Sequence, residues 1–166
     1  MSQNPTPYIN HTGQDDHPAP LPFTSPWQYE LRIPCDPRGP RIARVTLCAV
    51  LQAHGLAQLA DGAELLASEL ATNSVRHTKG PAAMRLQWLH PVLRLSVWDL
   101  GPDLPDMKRL DAKRPGGEPE PDGDSDGGRG LVLLDLVADR WGGCAIVDGP
   151  ARPGGKTMWF ELAHRT

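Results

Sequence analysis

Glu69 and Asn73, within SELATNSVRHT (68–78), stand four residues apart. On a helix that spacing is about one turn, so both side chains point into the same space. A carboxylate and an amide presented together can activate a hydroxyl and hold a metal ion. They can equally belong, with Arg76, to a solvated helix face with His77 at its edge. Two further stretches could complete a nucleotide site. VWDLGPDLP (97–105) ends an alternating run on Asp99 and turns through Gly101. A carboxylate at a strand end can accept a hydrogen bond from an exocyclic amine such as that of adenine, and glycine lets backbone come close to a flat ring. Asp-x-Gly is also an ordinary turn. GGRGL (127–131) opens a helical pattern. There Gly128 and Gly130 would leave room for phosphate at a helix N-terminus, and Arg129 would add a charge-assisted contact. The same glycines would serve as a hinge.

A near-match to a phosphate-binding loop, PARPGGKT (150–157), does not qualify. The pattern GxxxxGK[ST] requires glycine where Pro150 stands, and the short remainder after Thr157 reads as a strand rather than the required helix.

The elements that must position these residues follow from periodicity. Residues 1–26 are polar and proline-rich, too poor in apolar groups to offset their ordering entropy, and predict a disordered tail. WQYELRIP (27–34) alternates as a strand. CDPRGPRIARVTLCAVLQAHG (35–55) predicts a helix with Asp36 as N-cap and Pro37 just inside it. Ile42, Val45, Ala49 and Gln52 trace one row of that helix, with Cys48 and Leu51 beside it. A second helix is expected from about Leu59 to His77. In it Ala63, Ala67, Leu70, Ala71, Ser74 and Val75 form a small, apolar arc suited to packing on a sheet, with Glu69, Asn73 and Arg76 roughly opposite.

Met84, Leu86 and Trp88, then Leu93, Leu95, Val97 and Asp99, alternate on either side of His90–Pro91 and predict a hairpin. Residues 102–128 are rich in Pro, Gly and Asp without periodicity, the pattern of a lid or a linker. Glu118, Glu120, Asp122, Asp124 and Asp126 would repel a triphosphate. The segment either extends into solvent or weakens nucleotide binding until a partner or metal orders it. RGLVLLDLVADRWG (129–142) reads as a third helix, and CAIVD with TMWFELA as a final hairpin. Helices that come in clusters argue for an α+β fold, with a mixed or antiparallel sheet covered by helices on one face.

A chain of 166 residues accommodates one domain from 27 to 166 with a real core. Its net charge of -3 gives no reason to expect direct contact with nucleic acid. Cys35, Cys48 and Cys144 are too widely spaced for a zinc finger or a disulfide framework and read as reduced thiols. No run approaches the ~20 apolar residues of a membrane span. The N-terminus lacks the basic start and apolar run of a signal peptide, so a cytoplasmic protein without membrane contact is expected.

Taken in order, the Glu-x-x-x-Asn helix, the Asp-x-Gly turn and the Gly-Arg-Gly-Leu that follows a lid resemble the GHKL ATP-binding fold of histidine kinases, Hsp90 and gyrase. ELATNSVRHT, VWDLGPDLP, GGRGLVLLDLVADRWG and GGKTMWFEL look most like the small anti-sigma-factor serine kinases and their stand-alone bacterial relatives. The resemblance covers about residues 27–162. It implies a two-layer α/β sandwich of the Bergerat type with a mixed sheet and an ATP lid, and ATP and Mg²⁺ as cofactors. It further implies that Asn73 ligates Mg²⁺, that Glu69 acts as general base, and that Asp99 binds adenine with Gly101 beneath the ring. Gly128, Arg129 and Gly130 would serve the phosphates, and Thr157 would help bind adenine.

The implied activity is serine/threonine-protein kinase action on an anti-anti-sigma (STAS-type) protein, combined with sequestration of a sigma factor and thus transcription regulation. A homodimer would use the apolar face of the first helix and strand. Without a dimerisation and phosphoacceptor helix in these residues, a complete sensor histidine kinase is not expected. A non-catalytic ATP-binding module is the alternative, whereas an ordinary α/β domain without ligand would require the four motifs to coincide in this order.

Overall fold

The structure is a computed structural model that describes residues 18–104, 126–149 and 154–165. Five strands form one sheet in the order β1-β2-β3-β5-β4. They are β1 (Trp27–Ile33), β2 (Ala82–Leu89), β3 (Val92–Asp99), β4 (Arg140–Ile146) and β5 (Gly155–Ala163). Every pairing is antiparallel, so the sheet is not the mixed one that the resemblance implied. Among the described residues three helices pack with it: α1 (Gly39–Ala53), α2 (Ala60–His77) and α3 (Asp126–Val137), with a 3-10 turn at Ala57–Leu59 leading into α2. The expected lid falls on residues 102–128, of which 105–125 lie outside the described residues. Glu118, Glu120, Asp122 and Asp124 are among these, as is most of the expected tail, at 1–17.

Strand alternation builds the core. On β2 and β3, Met84, Leu86, Trp88, Leu93, Leu95 and Val97 all point to the helix-covered face and are buried. Met158, Phe160 and Leu162 of β5 continue that face. Opposite them α2 buries Ala63, Leu66, Ala67, Leu70, Ala71 and Ser74, close to the predicted arc. Small residues at these positions let the helix lie low on the sheet, and each fully buried leucine contributes about 2 kcal/mol relative to exposure. The other sheet face is polar: Arg94 lies over the Trp159 ring, 4.0 Å from its centroid, and pairs with Glu161 at 2.8 Å.

Four expectations are corrected. Helix α1 buries Gly39, Ala43, Leu47 and Leu51, while Ile42 and Val45 of the predicted row are 54% and 59% exposed. The predicted row passed over Leu47, whose four-residue spacing with Ala43 and Leu51 marks the stripe that packs. The helix also starts after Pro37, with Arg38 at the N-cap position and no side-chain cap; the Asp36 carboxylate instead accepts from the Arg38 backbone N–H at 2.8 Å. Helix α3 runs Asp126–Val137 rather than 129–142, so Arg140, Trp141 and Gly142 belong to β4. There Trp141 pairs with Phe160 across the ladder and packs against the core. Phe23, within the expected tail, accepts a hydrogen bond at its carbonyl from Trp88 Nε1 at 2.7 Å. Its ring meets Trp88 edge-on.

Among the described residues no helix is long and apolar enough to cross a membrane. All three cysteines are free.

Candidate functional site

Most of the residues singled out by chemistry gather at one end of the molecule, where β3 ends and α2 and α3 meet. Asp99 closes β3 and is only 3% exposed. A buried carboxylate must be surrounded by donors, and this one is. Oδ2 accepts from Ser74 Oγ at 2.9 Å. Oδ1 accepts from the Gly101 backbone N–H at 2.8 Å and from Lys156 Nζ at 2.9 Å. The Lys156 and Asp99 side chains are 13% and 4% exposed, so this is an ion pair largely withdrawn from water.

Local sequence explains how each donor arrives. Ser74 lies on the buried stripe of α2, and its hydroxyl also contacts the Leu70 carbonyl at 3.0 Å. Gly101 folds back immediately after the strand. A Cβ on it would stand 2.5 Å from Lys156 Nζ, 2.9 Å from Asp99 Oδ1 and 2.9 Å from Thr78 Cγ2, so any side chain there would break the arrangement. Lys156 is placed by the ladder, since the register of β3 with β5 sets Asp99 opposite Lys156 and Trp98 opposite Thr157. Gly155, at φ 124°, lets β5 enter against the end of β3, where a Cβ would come within 2.0 Å of the Asp99 carbonyl oxygen. A cavity of about 290 Å³ opens beside this end of the sheet, with Leu100, Ile146 and Gly155 in its walls.

Glu69 and Asn73 face neither open water nor the Asp99 cradle directly. They lie against α3: a Cβ on Gly130 would stand 3.3 Å from Asn73 Nδ2 and 3.5 Å from Glu69 Oε2. Both are partly exposed, so a ligand or partner can still reach them. Gly128 and Arg129 lie in the first turn of α3, inside the helix rather than ahead of it; the Arg129 side chain is outside the described residues. Arg76 lines a separate groove between α1 and α2.

Asp99, Gly101, Glu69, Asn73 and Gly130 are therefore brought to one region, whereas Thr157 is not. It alternates with buried Met158 and shares the polar sheet face with Trp159 and Glu161, away from Asp99. Lys156 is the residue that sequence reasoning passed over. Its signal was present, because it precedes Thr157 in the motif and has the parity of Met158, but only the strand register makes it a partner of Asp99.

In comparison with known proteins, no family model matches the sequence, and no curated protein matches it.

Proposed function

We propose that the chain is an ATP-binding regulatory kinase of the anti-sigma type, a GHKL-like domain that transfers the γ-phosphate of ATP to a serine of a STAS-type anti-anti-sigma partner and sequesters a sigma factor. One observation carries this reading: consecutive residues of α2 reach both halves of the candidate site. Asn73 lies toward Gly130 near the start of α3, and Ser74 bonds the Asp99 carboxylate. A nucleoside triphosphate asks for such a two-ended site, with the base at one end and the phosphates at the other.

The residues suit that ligand. Gly101 lets the backbone and Lys156 close tightly around a buried acceptor at the end of β3, the carboxylate that would take the base's exocyclic amine. The first turn of α3, whose unpaired N–H groups would favour phosphate, leads into Gly130, which lies close to the Asn73 amide and the Glu69 carboxylate. Bound Mg²⁺ would supply the charge neutralisation that phosphoryl transfer needs. Asn73 would hold it through the amide oxygen, and the remaining ligands would come from phosphate and water, because no three His, Cys, Asp or Glu side chains converge among the described residues. Glu69, partly exposed beside Asn73, would orient a partner's serine hydroxyl and accept its proton. For that the hydroxyl must come within ~2.6–3.2 Å of the carboxylate.

Titration calorimetry with Mg²⁺–ATP tests the reading on the wild type, Asn73→Ala, Asp99→Asn and Glu69→Ala. Wild type and Glu69→Ala are expected to bind, and the other two to lose affinity. Transfer of labelled phosphate to a STAS domain should disappear in Glu69→Ala. A wild type that binds no ATP with Mg²⁺ present would sink the proposal.

A further inference from the structure

Lys156 has no part in the proposed function, yet it is the closest charged neighbour of the residue assigned to the base. Its ammonium contacts Asp99 Oδ1 at 2.9 Å and packs where Gly101 lacks a Cβ. A carboxylate offers about four acceptor positions. Ser74, Gly101 and Lys156 occupy three of them, leaving one on Oδ2. The ammonium carries three N–H groups; one goes to Oδ1, and the others find no acceptor among the described residues.

The pair thus keeps one unfilled acceptor position and unfilled donors side by side, at a carboxylate only 3% exposed. An incoming amine could instead evict Lys156, but a neutral amine makes a weaker bond to a carboxylate than an ammonium does. Eviction would also leave a nearly buried charge without its partner. The pair is therefore met intact by whatever binds.

We propose that Lys156 is a specificity-determining residue of the base site: Asp99 accepts from an exocyclic amine while Lys156 donates to the unprotonated ring nitrogen next to that amine, so the pair reads an amino-purine at two points. This rests on the nucleotide reading above and deepens it. In the same pose a 6-oxo purine would set its carbonyl oxygen against the carboxylate and its ring N–H against the ammonium, two mismatches at once.

The experiment uses the wild-type chain and three triphosphates with Mg²⁺: ATP, 1-deaza-ATP, whose ring nitrogen is replaced by C–H, and ITP, whose base is 6-oxo. Calorimetry is expected to show 1-deaza-ATP binding about tenfold or more weakly than ATP, the worth of one hydrogen bond to a charged group, and ITP more weakly still. In Lys156→Met, which keeps most of the apolar stem, ATP and 1-deaza-ATP should bind alike, with a melting curve recorded to establish that the variant is folded. Equal binding of ATP and 1-deaza-ATP to wild type overturns the assignment without any variant. Tighter ATP binding by Lys156→Met also overturns it, by making Lys156 a competitor of the amine. Failure of all three nucleotides to bind wild type overturns the nucleotide reading itself and this inference with it.

Discussion

A carboxylate as buried as Asp99 persists only because Ser74, Gly101 and Lys156 all donate to it. Asp99→Asn keeps the shape and removes the charge, leaving Lys156 mostly buried without a counter-ion. Breaking such a pair typically costs about 3–5 kcal/mol, and the residual exposure of Lys156 argues for the lower end. Urea unfolding should therefore show a loss of about 3 kcal/mol, and an unchanged midpoint would mean that water screens the pair. Gly101→Ala is expected to act on the same cradle through sterics, because its Cβ would meet Asp99 and Thr78 as well as the movable lysine tip. ATP affinity should fall about tenfold or more, comparable to losing one charged hydrogen bond. At this scale Asp99 and Gly101 were legible because their types announce their chemistry. Lys156 and the placement of Thr157 were not, since which of two adjacent residues faces Asp99 is settled by cross-strand register.

The contact between α2 and α3 turns on Gly130. Glycine inside a helix costs about 1 kcal/mol relative to alanine, so its presence in α3 (Asp126–Val137) needs a reason, and the nearness of Asn73 and Glu69 supplies one. Gly130→Ala should leave global stability within about 1 kcal/mol of wild type, with better propensity offsetting a tight contact. It should nonetheless displace the Asn73 amide and weaken Mg²⁺–ATP binding about tenfold, a split that calorimetry and thermal melting read separately. Elements were unevenly readable. Helix α2 matched expectation because its small-residue arc has a clean helical period, and β2 and β3 because their alternation is unbroken. The start of β4 was taken for helix because Arg140–Trp141–Gly142 continues an apolar helical pattern. What makes it strand is tertiary: a Cβ on Gly142 would come 2.9 Å from the Trp159 ring, and one on Gly143 would meet the Met158 sulfur more closely still. These glycines are required by neighbours that the local sequence does not reveal.

For the molecule as a whole, the candidate site is assembled from α2, the end of β3, the start of β5 and early α3, each anchored in the same core of Leu66, Leu70, Val97, Leu134 and Phe160. A ligand spanning that site would tie together elements that unfolding must separate, and would bind the folded chain but not the unfolded one. Mass action then fixes the size of the effect, about 2.7 kcal/mol of added stability when free ligand stands at 100 times its Kd. For a domain of this size each kcal/mol moves Tm by roughly 2–4 °C, so saturating Mg²⁺–ATP should raise Tm by about 5–10 °C. Asn73→Ala should need more ATP for the same rise, because its loss acts through Kd rather than through the core. Glu69→Ala should follow the wild-type curve, because the proton acceptor for a partner's serine is not needed to hold the nucleotide. A Tm that does not move at millimolar Mg²⁺–ATP would show that these elements meet for packing alone, and the Glu69–Asn73 pair would then be a partly covered helix face rather than half of a nucleotide site.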